Sequence, residues 1–177
     1  MIVFGVFKLE KLNTPLSENI TCHCKQKYSG EMLSNSLFAY QSLAILYKEK
    51  TGSDLPKITF LDNGKPVSED ISVTLSHSEG AVAVGFSTDK NINIGVDIEV
   101  IKEIKPQIAK RLGLNEDCTR EEFYLAWTKN ETLKKALNLS LLKDNLNAFV
   151  GESKVVKING KNYAVSIYSE GDYESNI

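Results

Sequence analysis

Ile94-Gly95-Val96-Asp97-Ile98-Glu99-Val100 alternates along its whole length between branched apolar residues and residues that are acidic or lack a side chain. Successive side chains of a β-strand point to opposite faces, so this period of two predicts a strand. Ile94, Val96, Ile98 and Val100 fall on one face; Gly95, Asp97 and Glu99 fall on the other. The two carboxylates would stand ~7 Å apart and repel each other unless a cation or base sits between them. Gly95 is expected to leave open space beside them. An all-oxygen donor set suits magnesium, which takes one or two carboxylates together with substrate phosphates. The same alternation also marks any half-exposed strand with an acidic solvent face, so it does not choose by itself.

Working outward, the strand is expected to run from Asn91 to Val100. Before it, Val73–Leu75, a Ser76-His77-Ser78 junction and Ala81–Phe86 read as paired strands around Glu79-Gly80. Asn63-Gly64-Lys65-Pro66 is a turn by composition. Ile2–Leu9 is β-rich and predicts an opening strand ended by Thr14-Pro15. Between them, Leu33, Leu37, Tyr40, Ala44 and Tyr47 recur at helical steps, predicting a helix over Glu31–Lys50 with Ser29 as N-terminal cap and Gly52 as its left-handed stop. After the acidic strand, Thr119 and Glu122 form a capping box that opens a helix to Leu137. Asn159-Gly160 joins a final hairpin of Lys154–Ile158 and Asn162–Tyr168, and the polar residues after Glu170 are expected to fray. The succession predicts an α+β fold of two similar halves, residues 1–88 and 89–177, meeting near Asp89.

In the second helix, Trp127, Glu131 and Lys135 fall in one row at four-residue spacing. The plainest reading is a surface Glu131–Lys135 pair worth ~0.3–0.5 kcal/mol. Phe123, Trp127 and Leu137 lie on or near that face, however, so the row is expected to be partly buried. A buried acid needs a lysine or metal partner. The chemical reading is therefore a third metal carboxylate or general base, with a lysine beside it to neutralise phosphate.

Composition narrows the function classes. The 177 residues are 42% hydrophobic and 25% charged, with 21 basic against 23 acidic residues and a net charge of −2. That balance argues against non-specific nucleic-acid binding, which needs a strong positive field, but leaves room for a local basic pocket that takes a phosphorylated small molecule. No apolar run approaches the ~20 residues that span a bilayer, and Ile2–Phe7 lacks the basic leader and cleavage site of a signal peptide, so a cytoplasmic protein with no membrane partner is expected. Three cysteines do not suggest a disulfide framework. Cys22-His23-Cys24 looks like a metal clip, but structural zinc takes four ligands at longer spacing, and ordinary thiols are the better reading. Ser76 and His77 are strand neighbours that point apart, which argues against a nucleophile–base pair.

Four blocks in order, Gly64-Lys65-Pro66, Ser76-His77-Ser78, Gly95-Val96-Asp97-Ile98-Glu99 and Trp127-Thr128-x-x-Glu131-x-x-x-Lys135, resemble the signature of 4′-phosphopantetheinyl transferases, closest to their larger, Sfp-like class. The resemblance covers roughly Ser36 to Leu139. It implies a monomer of two α+β halves related by a pseudo-twofold axis, with coenzyme A in the cleft between them. It also implies that Asp97, Glu99 and Glu131 bind magnesium on the diphosphate, and that Lys135 contacts phosphate. Lys65, Ser76 and His77 would lie near the coenzyme's phosphates, including the 3′-phosphate. The implied reaction moves the phosphopantetheine arm of coenzyme A to a serine of an apo acyl or peptidyl carrier protein, with Glu131 as base and Lys135 stabilising charge.

The chain departs from that pattern in places. Asn130 stands where the family usually has lysine, and Lys129 lies ~100° away around the helix. Thr132 replaces the usual alanine. No arginine accompanies Ser36-Leu37, leaving Lys25 and Lys27 as the nearby cations. These departures favour an alternative, a transferase-like protein that binds coenzyme A or a carrier protein without turnover.

Overall fold

The computed structural model describes residues 1–10, 13–137 and 149–176; the last two residues of the Ser36–Leu139 span lie outside them. The chain begins with strand β1 (Ile2–Lys8), followed by helices α1 (Glu18–Lys27) and α2 (Gly30–Thr51). Strands β2 (Thr59–Phe60), β3 (Pro66–Val67), β4 (Ser72–Ser78), β5 (Ala81–Ser87) and β6 (Ile94–Val100) come next. Helices α3 (Pro106–Arg111) and α4 (Arg120–Leu137) precede β7 (Gly151–Ile158), β8 (Lys161–Ser169) and β9 (Glu174–Ser175). The fold is mixed α+β, and no helix among the described residues is long and apolar enough to cross a membrane.

Local chemistry accounts for several boundaries. Glu122 accepts from the Thr119 amide at 2.7 Å while Thr119 Oγ1 accepts from the Glu122 amide at 3.2 Å, so the expected capping box opens α4. Gly52 ends α2 with φ 75°, as expected, but Ser29 caps its start without a side-chain hydrogen bond. Asn159 and Gly160, at φ 50° and 78°, turn β7 into β8. Other boundaries differ. The acidic strand begins at Ile94 rather than Asn91, and Ser76-His77-Ser78 lies within β4 rather than at a junction.

The strands form sheets of order β4-β5-β1-β9, β2-β3 and β6-β8-β7 among the described residues. The expected frayed tail is instead structured: β9 pairs parallel to β1, placing Glu174 opposite Val3, and Tyr173 packs edge-on against Phe4 at 5.4 Å. Helix α2 covers β5 and β4 through Phe38, Leu43, Leu46 and Tyr47, which pack with Val82, Val84 and Phe86. Helix α4 packs on β6 and β8. The apolar face of β6 joins Ile2, Phe4, Ala81 and Ala83 from β1 and β5 in one buried cluster. That core spans both sides of Asp89, so each sheet removes the other's apolar face from water.

The two larger sheets meet at β4 and β6, where β4 presents hydroxyls at every second residue. Thr74 Oγ1 accepts from the Val96 amide at 3.1 Å, and Ser78 Oγ accepts from the Val100 amide at 3.0 Å. Side chains thereby satisfy amides on the edge of β6 that β8 does not pair, which would be costly to bury unbonded.

Candidate functional site

Gly95 decides how close α4 comes to the acidic strand. A Cβ there would press into the Thr132 carbonyl oxygen and lie 3.1 Å from both Thr132 C and Ala136 Cβ. The space expected beside the carboxylates is therefore filled by helix backbone, which correction follows from Gly95 having no side chain to hold α4 away. Thr132 Oγ1 donates to the Ser166 carbonyl at 3.1 Å, and Thr128 and Ser166 hydroxyls sit 2.7 Å apart, fixing the helix at that distance.

With α4 seated, Asp97 is 3% exposed. Its Oδ1 accepts from Ser76 Oγ and from Lys135 Nζ, each at 2.7 Å, and Lys135 Nζ also donates to the Val96 carbonyl at 3.1 Å. Asp97 Oδ2 is buried with no hydrogen-bond partner. A buried carboxylate oxygen in that condition carries a substantial desolvation cost. Glu99 accepts from Ser78 Oγ at 3.0 Å and from the Trp127 side chain. Burial first, and the Asp97 charge second, raise the Glu99 pKa above the ordinary carboxylate value, opposed by Ser78, Lys135 and Trp127. The chain thus supplies its own cation to Asp97, through Lys135.

The expected row of Trp127, Glu131 and Lys135 is half-buried. Its pairings differ from the surface pair considered above: Glu131 leans to Lys134 at 3.6 Å, while Lys135 serves Asp97. Among the described residues no three His, Cys, Asp or Glu side chains converge tightly enough to hold a metal ion. Asp97 and Glu99 share their face, and Glu131 stands apart with its own lysine.

Beside these groups opens a cleft of about 400 Å³ lined from several elements. Tyr28, Ser36 and Tyr40 form part of one wall, Asn63–Pro66 and His77 another, and Glu131, Lys134 and Lys135 the third. Asn63 Oδ1 accepts from the Lys65 amide at 2.9 Å, tightening the turn, and Lys65 Nζ reaches across to the Lys135 carbonyl at 3.2 Å. The Lys27 side chain lies against Gly64 in that turn, whereas Lys25 is exposed on α1 and does not line the cleft. His77 Nε2 lies 3.3 Å from Ser36 Oγ. Burial, then the Lys135 charge, lowers its pKa, leaving a neutral imidazole at neutral pH. Ser76 lies on the opposite face of β4 from His77 and is engaged by Asp97 rather than turned into the cleft. It holds an acid in place, in contrast to the phosphate contact that the resemblance implies.

Asn130 does not join the cleft. It is 1% exposed, and neither amide atom has a partner. Cys22 is exposed and Cys24 buried, and His23 stacks on Phe60 at 3.6 Å, so the three residues of the apparent clip do not converge.

No protein-family model matches the chain, and no curated protein matches it significantly.

Proposed function

We propose that this cleft binds coenzyme A and that the protein transfers its 4′-phosphopantetheine group to a serine of an apo acyl or peptidyl carrier protein. The observation that carries the reading is a buried Asp97, one of whose oxygens lacks any partner, next to a half-buried Glu99 and beside a cleft where Lys65, Lys134 and Lys135 gather in a chain of net charge −2. Concentrated cations suit a ligand carrying several phosphates, and buried carboxylates suit the divalent ion such ligands bring. The layout also supports a pseudo-twofold pairing of halves: α2 lies on the sheet that contains β4, α4 on the sheet that contains β6, and those two strands adjoin.

Two carboxylates on one face suit magnesium, which fills its remaining positions with water and substrate phosphate. Asp97 Oδ2 is the oxygen free to coordinate, Glu99 is its neighbour on the face, and Glu131 would complete the set by turning from Lys134. When bound, the ion would neutralise charge on the diphosphate. Lys65 and Lys135 hold the phosphates, with His77 available as a further donor. The carrier serine Oγ attacks the β-phosphorus; the bond from that phosphorus to the bridging oxygen breaks, and 3′,5′-ADP leaves. Glu131 takes the serine proton, a role its partial burial suits. Positioning and electrostatics supply most of the acceleration in such a displacement.

Asn130, which stands where the resembled family usually carries lysine and lies buried off the cleft, favours a second reading as a binder without turnover. Incubation with apo carrier proteins, coenzyme A and magnesium, followed by mass spectrometry, separates the two. Transfer adds a phosphopantetheine mass and Glu131→Gln abolishes it. No mass gain on several carriers, with coenzyme A still bound, rejects the transferase and leaves the binder.

A further inference from the structure

We infer that Lys135 is a tethered counter-cation which competes with a divalent ion for Asp97, so that loading the metal releases the lysine toward the anion in the cleft. The inference rests on reading Asp97 and Glu99 as cation ligands, but not on the identity of the organic substrate.

Three observations point this way. Lys135 Nζ is held by one oxygen of Asp97 at 2.7 Å and by the Val96 carbonyl at 3.1 Å, two oxygen donors of the kind hard cations take. The other Asp97 oxygen is buried and unpartnered, so the ammonium only half-satisfies the carboxylate. Lys135 also lines the cleft together with Lys65 and Glu131, so its head group has a second place to go without leaving the site.

Charge sets the direction of the exchange. A divalent ion on Asp97 and Glu99 would repel an ammonium this close, and the repulsion acts where solvent screens poorly. A long lysine stem reorients readily, because its charge is a compact point rather than a planar fork. Once released, the ammonium faces the cleft, where a phosphate would hold it. Metal and anion therefore favour each other through one side chain, a reciprocal coupling. Without the ion, the lysine neutralises the buried Asp97 beside the half-buried Glu99.

The test uses manganese as the probe, with free ion measured by electron paramagnetic resonance and no coenzyme present. Lys135→Met is expected to bind manganese more tightly than wild type by on the order of tenfold, since the competing charge is gone. Lys135→Arg, which keeps the charge, is expected to remain as weak as wild type. Equal or weaker binding by Lys135→Met, or tight binding by Lys135→Arg, overturns the inference while leaving the cation site standing. Absence of manganese binding in all three proteins overturns the cation site as well. Should Lys135→Met fail to fold, the wild type decides. Acetylation followed by mass spectrometry is expected to label Lys135 severalfold faster with saturating magnesium, relative to the exposed Lys157 on β7. An unchanged or slower rate overturns the inference.

Discussion

Gly95→Ala tests how the acidic site is built. The added Cβ would come closer to the Thr132 carbonyl oxygen than van der Waals contact allows by about 1 Å, and the obstacle is helix backbone rather than a side chain that could rotate. Helix α4 must then withdraw from β6. Overpacking of this kind costs about 1–3 kcal/mol. Withdrawal also stretches the Thr132–Ser166 and Thr128–Ser166 hydrogen bonds, each worth about 1 kcal/mol net. A loss of about 3–5 kcal/mol is expected, which lowers the urea midpoint by about 1.5–2.5 M for a slope near 2 kcal/mol per molar. Because Lys135 and Trp127 ride on the same helix, the grip on Asp97 and Glu99 should loosen in parallel. Chemical denaturation and manganese binding on the same preparation check both effects. A variant within about 0.5 kcal/mol of wild type would show that α4 does not press on Gly95 and would refute the reasoning.

Lys65→Ala, titrated calorimetrically with coenzyme A and with its 3′-dephospho analogue, should lose more affinity for coenzyme A; equal losses place Lys65 away from the 3′-phosphate. Asn130→Leu removes a buried amide with no partner and should stabilise the fold by about 1–2 kcal/mol, raising Tm by about 2–8 °C; a lower Tm would mean the amide has a role in the folded state. The lowered pKa of His77 means the folded chain binds fewer protons there than the unfolded one as pH falls through about 6.5, so stability rises with pH across that window and is lost toward acid. Urea midpoints at about pH 7.5 and about pH 5.5 should therefore differ more for wild type than for His77→Gln, and an equal difference removes His77 as the cause.

Much of the frame was legible because its signals are local. Alternation in Ile94–Val100, the Thr119–Glu122 box and Asn159-Gly160 each encode geometry within a few residues, and each lies where expected. Helix α1 escaped notice because only Ile20 and Cys24 of its ten residues are buried, too few for a periodic stripe; Ser17, whose side chain accepts from the Ile20 amide, was the available signal. Helix α3 is a six-residue turn announced only by Pro106 at its start. In the site, the shared face of Asp97 and Glu99 follows from strand period, but their partners do not. Thr74, Ser76 and Ser78 alternate visibly, yet only tertiary packing reveals that they face β6. The same holds for Lys135, whose spacing from Glu131 suggests a helical pair while its ammonium belongs to Asp97 on the strand beneath α4.

The parallel pairing of β9 with β1 has a consequence for biosynthesis. Strand β1 is synthesised about 170 residues before its second neighbour, residues 174–175. At about 5–20 residues per second, the Val3–Phe4 edge would wait roughly ten to thirty seconds for that partner. Through that interval a short apolar strand offers open backbone groups to other nascent chains. A ribosome-associated chaperone able to shield it would raise the yield of this protein more than that of one whose sheets close in the order they are made.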